Sequence, residues 1–135
     1  MTPRDFARLV GVHPVLVAAI TATLAALAAA GHPMFVICGV RTTAQQQELY
    51  SHGRNGDPRP IVTYKDGLRE RSNHQVHAND SLGHAVDCAF QPSGALTAFD
   101  LRQPWHLYGE ALERAGVTWG GRYPHLIDLP HAELV

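Results

Sequence analysis

The chain is poor in charge, cysteine and aromatic residues, and each shortage narrows what it can be. Charged residues fill 17% of its 135 positions and the net charge is −1, so it lacks the basic surplus of a dedicated nucleic-acid binder. Cysteine occurs twice, at Cys38 and Cys88, outside any Cys-x-x-Cys pair, which argues against a thiolate zinc site. Both are expected to be small buried core residues, and no disulfide is required of them. There is no internal repeat and no linker. With 45% apolar residues, the length suits one globular domain, residues 1–135, around a single core.

Charge is absent altogether from residues 14–30, the longest apolar stretch. A membrane span needs about 20 apolar residues, and Thr21, Thr23 and the many alanines weaken that assignment. Arg4 and Arg8 followed by an apolar run and three alanines also suggest an export signal. Against both, His13-Pro14 is a helix start, Gly31 and Pro33 form a stop, and Leu16, Ile20, Leu24 and Leu27 make one stripe at helical spacing. A buried core helix is therefore expected, with no membrane span. Thr2-Pro3 opens a shorter helix before it, with Phe6, Leu9 and Val10 as its apolar side.

Residues 34–38 (MFVIC) read as a buried strand, and Thr42-x-x-Gln45 as a capping box that opens a helix to about Ser51. Arg41 then stands at a strand–helix junction, aimed into a cleft or, equally, an ordinary surface arginine. Residues 52–60 are loop, 61–64 are expected to form a strand with Asp66-Gly67 as its turn, and Asp100-x-x-Gln103 resembles another helix start. Trp105, Tyr108, Leu112 and Ala115 would be that helix's apolar face. Residues 117–119, the Gly120-Gly121 turn and a last strand would finish the sheet, with His131 and Glu133 on one face of that strand.

Charge is also unevenly spread: residues 52–71 hold five Arg/Lys and three acids, whereas 72–135 hold three and seven. Histidines crowd the acidic half. In the strand expected over 83–90, Val86, Cys88 and Phe90 alternate with Ala85, Asp87 and Ala89. A carboxylate in mid-strand between small residues is costly unless it is paired or binds a metal, which makes Asp87 a candidate ligand.

Four ordered segments complete a pattern: GVRTTAQQQELYSHGR (39–54), SNHQ (72–75), GHAVD (83–87) and WGGRYPHLIDLPHAEL (119–134), with GVHP (11–14) ahead of them. Together they resemble the zinc D-Ala-D-Ala carboxypeptidase-like peptidases, in particular the phage endolysin branch that cleaves L-alanyl-D-glutamate bonds. That resemblance implies an α+β fold, a small, mostly antiparallel sheet with helices on one side and a zinc cleft on the other. It implies His74, Asp87 and His131 as ligands of Zn2+, Asp128 as catalytic carboxylate, and Arg41 as the residue that holds the substrate or its oxyanion. Gln46 matches a position beside the site that could touch substrate; Asp128 on its own would read as a turn residue before Pro130.

One feature departs from that pattern. The commoner arrangement puts the first ligand seven residues before the aspartate, where this chain has Asp80, while His74 lies thirteen before Asp87. A short insertion, VHAND (76–80), accounts for the difference and keeps His74; His77 or Asp80 are the competing ligands, and His84 falls on the core-facing side of the strand. The expected activity is hydrolysis of cell-wall stem peptides by a monomer. The protein would accumulate in the host bacterial cytoplasm and act on the wall after membrane passage. A D,D-carboxypeptidase or dipeptidase of the same family, or a non-catalytic zinc or cell-wall binding module, are the alternatives.

Overall fold

A computed structural model describes residues 1–135. It is an α+β domain built on a four-stranded antiparallel sheet, in the order β1-β2-β4-β3. In chain order the elements are α1 (Pro3–Arg8), α2 (Pro14–Ala29), β1 (Met34–Cys38), α3 (Thr43–Ser51), β2 (Ala85–Phe90), α4 (Trp105–Arg114), β3 (Thr118–Trp119), a 3-10 turn (Gly120–Arg122) and β4 (His131–Glu133). No helix is long and apolar enough to cross a membrane.

The start signals at Thr2, His13 and Thr42 all operate. Thr2 and Thr42 each form a full capping box, and the His13 ring accepts from the Val15 amide at the head of α2. The α2 stripe of Leu16, Ile20, Leu24 and Leu27 is buried and packs with Trp105, Tyr108 and Leu112 of α4 against Val36, Val86, Cys88 and Phe90 of the sheet. Alternation along β2 and β4 turns Asp87 and His131 away from that apolar face, so the opposite side of the sheet carries the polar centre. Gly109 and Gly120 are required by close approach. A Cβ at Gly109 would collide with the Trp119 ring, and one at Gly120 with the Asp128 carbonyl.

Helix α1 is used differently from its expected role. Phe6 and Val10 are exposed; Leu9, just past the helix, is buried in the core as expected, and within the helix itself the buried side chain is Asp5. The reason is that α1 covers the outer edge of β1 rather than a sheet face. Asp5 accepts from the Val36 amide at 2.8 Å, and Arg8 donates to the Val36 carbonyl at 2.6 Å, so two side chains satisfy the open strand edge.

The strand expected over 61–64 does not form. Arg54 donates to the Thr63 carbonyl at 2.9 Å and Gln46 to the Lys65 carbonyl at 2.8 Å, so side chains rather than a neighbouring strand hold this segment. Asp100 likewise closes a turn, accepting from the Arg102 amide at 2.9 Å, and α4 begins only after Pro104. Ala115, expected on its apolar face, is exposed.

Replacing Asp5 by Ala removes both its half of the α1 capping box, the acceptor of the Thr2 amide, and the partner of the buried Val36 amide. The loss expected is about 2–3 kcal/mol of unfolding free energy. Asp5→Asn, which still presents an acceptor to Val36, should lose less. Urea denaturation measures both, and an Ala variant as stable as wild type would show that the edge contact contributes nothing.

Candidate metal centre and active-site cleft

Asp87 stands on β2 between fully buried Val86 and Cys88, and the sheet register places His131 of β4 directly beside it. On the other flank Cys38 of β1 pairs with Asp87 after a register shift in that strand. His74 enters from the loop before β2. Its Nδ1 lies 2.9 Å from the Gly39 carbonyl, which can only accept, so Nδ1 carries the proton and Nε2 presents its lone pair to the centre.

Three side chains then converge. His74 Nε2 is 3.3 Å from Asp87 Oδ2 and 3.3 Å from His131 Nδ1, and His131 Nδ1 is 3.2 Å from Asp87 Oδ1. Zinc holds nitrogen and oxygen ligands at about 2.0–2.2 Å, which makes the edge of a tetrahedral site about 3.3–3.6 Å. The spacing of the donors, and their two-imidazole, one-carboxylate chemistry, therefore fit a zinc ion with a fourth position left open.

Around these donors lies a set of orienting groups. His131 Nε2 is 3.6 Å from Glu133 Oε2, and Glu133 in turn accepts from Tyr123 Oη and Asn73 Nδ2. A carboxylate behind a ligand imidazole fixes its ring and raises its basicity. Asp128 reaches to 3.8 Å of His131 Nδ1 without joining the closest three donors. Its backbone is held by Gly120, whose carbonyl accepts from the Asp128 amide at 3.0 Å. Arg41 donates to Gln46 Oε1 at 2.7 Å and stands 3.6 Å from Asp87 Oδ2. Gln46, fully buried, also donates to the 63–65 segment, so it ties Arg41 to that wall of the cleft.

The charges are strongly coupled. Burial disfavours the Asp87 carboxylate, but the two imidazoles outweigh it and hold the group far below the usual range. Burial also pulls the histidines down, and Asp87 again outweighs it, lifting His74 to about 9 and His131 to about 10. Asp128 is shifted the other way: burial and the negative charge of Asp87 raise it, against the pull of His131, His74 and Arg41. Two carboxylates in one centre are thus tuned apart, one fixed as an anion and one closer to exchanging a proton.

The centre opens into a cleft of about 730 Å³. One wall is the irregular 61–65 segment, where Ile61, Val62 and Tyr64 are exposed; Leu126 and Ile127 face the cleft from the loop before β4.

His74, Asp87, His131, Asp128 and Arg41 therefore line one cleft, whereas Gln46, expected to touch substrate, is fully buried outside the cleft lining and instead supports Arg41. His77 and Asp80 are elsewhere. His77 stacks on His84 with ring centroids 3.8 Å apart, His13 meets His84 edge-on, and Asp80 Oδ2 lies 2.7 Å from His84 Nε2. His84 is half-buried in this cluster rather than core-facing. Cys38 also differs from expectation: it is only partly buried and lies within reach of His74 and Asp87 as a further potential donor. Tyr123, Asn73 and the supporting role of Glu133 were not foreseen. Glu133 sharing a strand face with His131 was the available signal, and nothing marked the other two.

A family model described as D-alanyl-D-alanine carboxypeptidase matches residues 66–134, just over half of the chain. The chain belongs to this D-alanyl-D-alanine carboxypeptidase family. Within it, the peptidoglycan L-alanyl-D-glutamate endopeptidase CwlK of Bacillus subtilis (strain 168) is 28% identical over 131 residues, covering 91% of this chain and 73% of CwlK. The crystal structure of the Serratia marcescens L-Ala D-Glu endopeptidase ChiX is similar at a TM-score of 0.69 and 29% identity, over 100% of this chain and 89% of ChiX. The LD-carboxypeptidase LdcB shares the fold at a TM-score of 0.63 and 18% identity, over 93% of this chain and 66% of its own. The matched family segment carries His74, Asp87, Asp128 and His131, and stops short of Arg41 and Gln46.

Metal content after dialysis tests the donor set. Wild type should retain one zinc per chain, and His74→Ala should lose it. Glu133→Ala should weaken affinity by about 10- to 100-fold, the effect of removing a partner behind a ligand imidazole. His77→Ala should retain zinc as wild type does; zinc loss in that variant would overturn the assignment of His74.

Proposed function

We propose that the chain is a zinc-dependent peptidoglycan peptidase that hydrolyses the L-alanyl-D-glutamate bond of cell-wall stem peptides. The observation that carries this is the triangle of His74, Asp87 and His131 donors with the raised carboxyl of Asp128 beside it, at the floor of an open cleft. The bond is taken from CwlK and ChiX, whose named activity it is.

His74, Asp87 and His131 would hold the ion. When bound, zinc supplies a Lewis acid and brings the pKa of water in its open position to about 7. The remaining work falls to the chain. Asp128 accepts a proton from the attacking water, then delivers it to the nitrogen of the leaving amine, so the bond is cut with water added across it. Arg41, steadied by Gln46, faces the same space and stabilises the negative oxygen that develops on the carbonyl carbon. Glu133, Tyr123 and Asn73 keep the His131 ring in place while charge moves in front of it. The place of such an enzyme in phage lysis, as a protein of the host cytoplasm that reaches the wall after membrane passage, rests on the sequence resemblance alone.

Mass spectrometry of purified peptidoglycan after digestion tests the reaction. Chelator-sensitive fragments with a new D-Glu amino end are expected. Asp128→Ala should keep its zinc and lose about 10²- to 10⁴-fold in rate, the usual contribution of a positioned proton-transfer group. Release of free D-Ala instead would identify a D,D-carboxypeptidase, and intact polymer from zinc-loaded protein would leave a binding module.

A further inference from the structure

Three acids line the cleft, Asp87, Asp128 and Glu133, and all belong to the metal centre or its support. Beyond the centre the lining carries charge of one sign. Lys65 projects from the 61–65 wall and Arg71 from the strand of loop leading to His74. Arg41 is the third cation, and it is already committed to Gln46 and Asp87.

The fold makes little use of either outer cation. Arg71 has one side-chain hydrogen bond, from Nη2 to the Val76 carbonyl at 3.3 Å, and no acid is its partner. Lys65 pairs with Glu70 at 3.5 Å, but both ends are more than half exposed, at 52% and 65%, and such pairs exchange readily for another partner. Arg71 also borders a second, smaller cavity of about 340 Å³, formed with Asn73, Gln75, His77 and Asn79. It therefore lines both the cleft and a polar recess made by the inserted loop.

We propose that Arg71, assisted by Lys65, selects stem peptides that carry an extra free carboxylate, so that a diaminopimelate residue after D-Glu is preferred over lysine. The proposal deepens the peptidase function above and rests on it. A guanidinium fork donates two parallel hydrogen bonds to a carboxylate. A lysine side chain would instead bring an uncompensated ammonium group to a wall that holds two cations, of which only Lys65 has an acid, Glu70, as its partner, and where like charges repel. The D-Glu and D-Ala carboxylates are common to both peptides, whereas the side-chain carboxylate of diaminopimelate offsets its own amine and gives Arg71 an anion that the lysine peptide lacks at that place.

The experiment uses zinc-loaded full chain and two synthetic tetrapeptides, L-Ala-γ-D-Glu-diaminopimelate-D-Ala and its lysine counterpart, at concentrations that span KM. Wild type should favour the diaminopimelate peptide by about three- to tenfold in kcat/KM, the range for a partly exposed charge-assisted contact. The difference should lie mainly in KM and shrink as salt is added. In Arg71→Gln the ratio should move towards one, and in the Arg71→Gln, Lys65→Gln double variant it should be lost, with zinc content and melting temperature unchanged. Equal rates for the two peptides in wild type, or an undiminished ratio in the double variant, would overturn the proposal. If neither peptide is cut, the proposed bond is what has failed. Calorimetric binding of the same two peptides then decides: tighter binding of the diaminopimelate peptide supports Arg71 as selector, and equal binding refutes it.

Discussion

A carboxylate in the middle of a buried strand is the constraint on which the rest of this molecule depends. Asp87 cannot keep its charge among Val86, Cys88 and the core without compensation, because removing an ion from water costs several kcal/mol. Compensation arrives from three directions: His131 across the sheet, His74 from the preceding loop, and Arg41 from the end of β1. Each of those groups must in turn be held. The Gly39 carbonyl sets the His74 ring, Glu133 sets His131, and Gln46 sets Arg41. The polar centre is therefore a chain of satisfied requirements that starts from one strand residue.

The support reaches well beyond the ligands. Gly120 lets the loop bearing Asp128 close against the 3-10 turn, and the Trp119 indole nitrogen donates to the Leu129 carbonyl at 2.8 Å, fixing the entry to β4. Tyr108 of α4 donates to the Pro130 carbonyl at 2.9 Å from the apolar side of the sheet. Side chains of the core thus determine where the loop bearing Asp128 lies.

Much of this was legible in the amino-acid order, for identifiable reasons. Capping boxes and proline starts act over four residues, so α1, α2 and α3 could be placed from local chemistry. Asp87 could be singled out because strand alternation makes a misplaced charge conspicuous. The candidate donor set as a whole needed the matched segments, since His74 and His131 are brought to Asp87 by tertiary structure alone. What escaped was set by long-range partners. The 61–64 segment has strand-like residues, yet its backbone is claimed by Arg54 and Gln46 side chains. Phe6 looked like core because it is apolar, whereas α1 serves a strand edge through Asp5 and Arg8. Cys38 looked inert because nothing local reveals that the β1 register brings it beside Asp87. The inserted loop was ambiguous for the same reason: His77 and Asp80 both have their partner in His84, which no spacing rule connects to them.

The strand order has a kinetic corollary. β4 comes last of the elements in sequence, yet it occupies an interior place in the sheet, between β2 and β3. Until residues 131–133 insert, the inner edge of β2 stays unpaired, and His131, Asp128 and Glu133 remain apart from Asp87. Both β1–β2 and β2–β4 are pairings between distant parts of the chain, the kind that forms slowly and late. The closing of the sheet and the gathering of the donor groups are consequently one event, and no partly folded chain holds the completed centre.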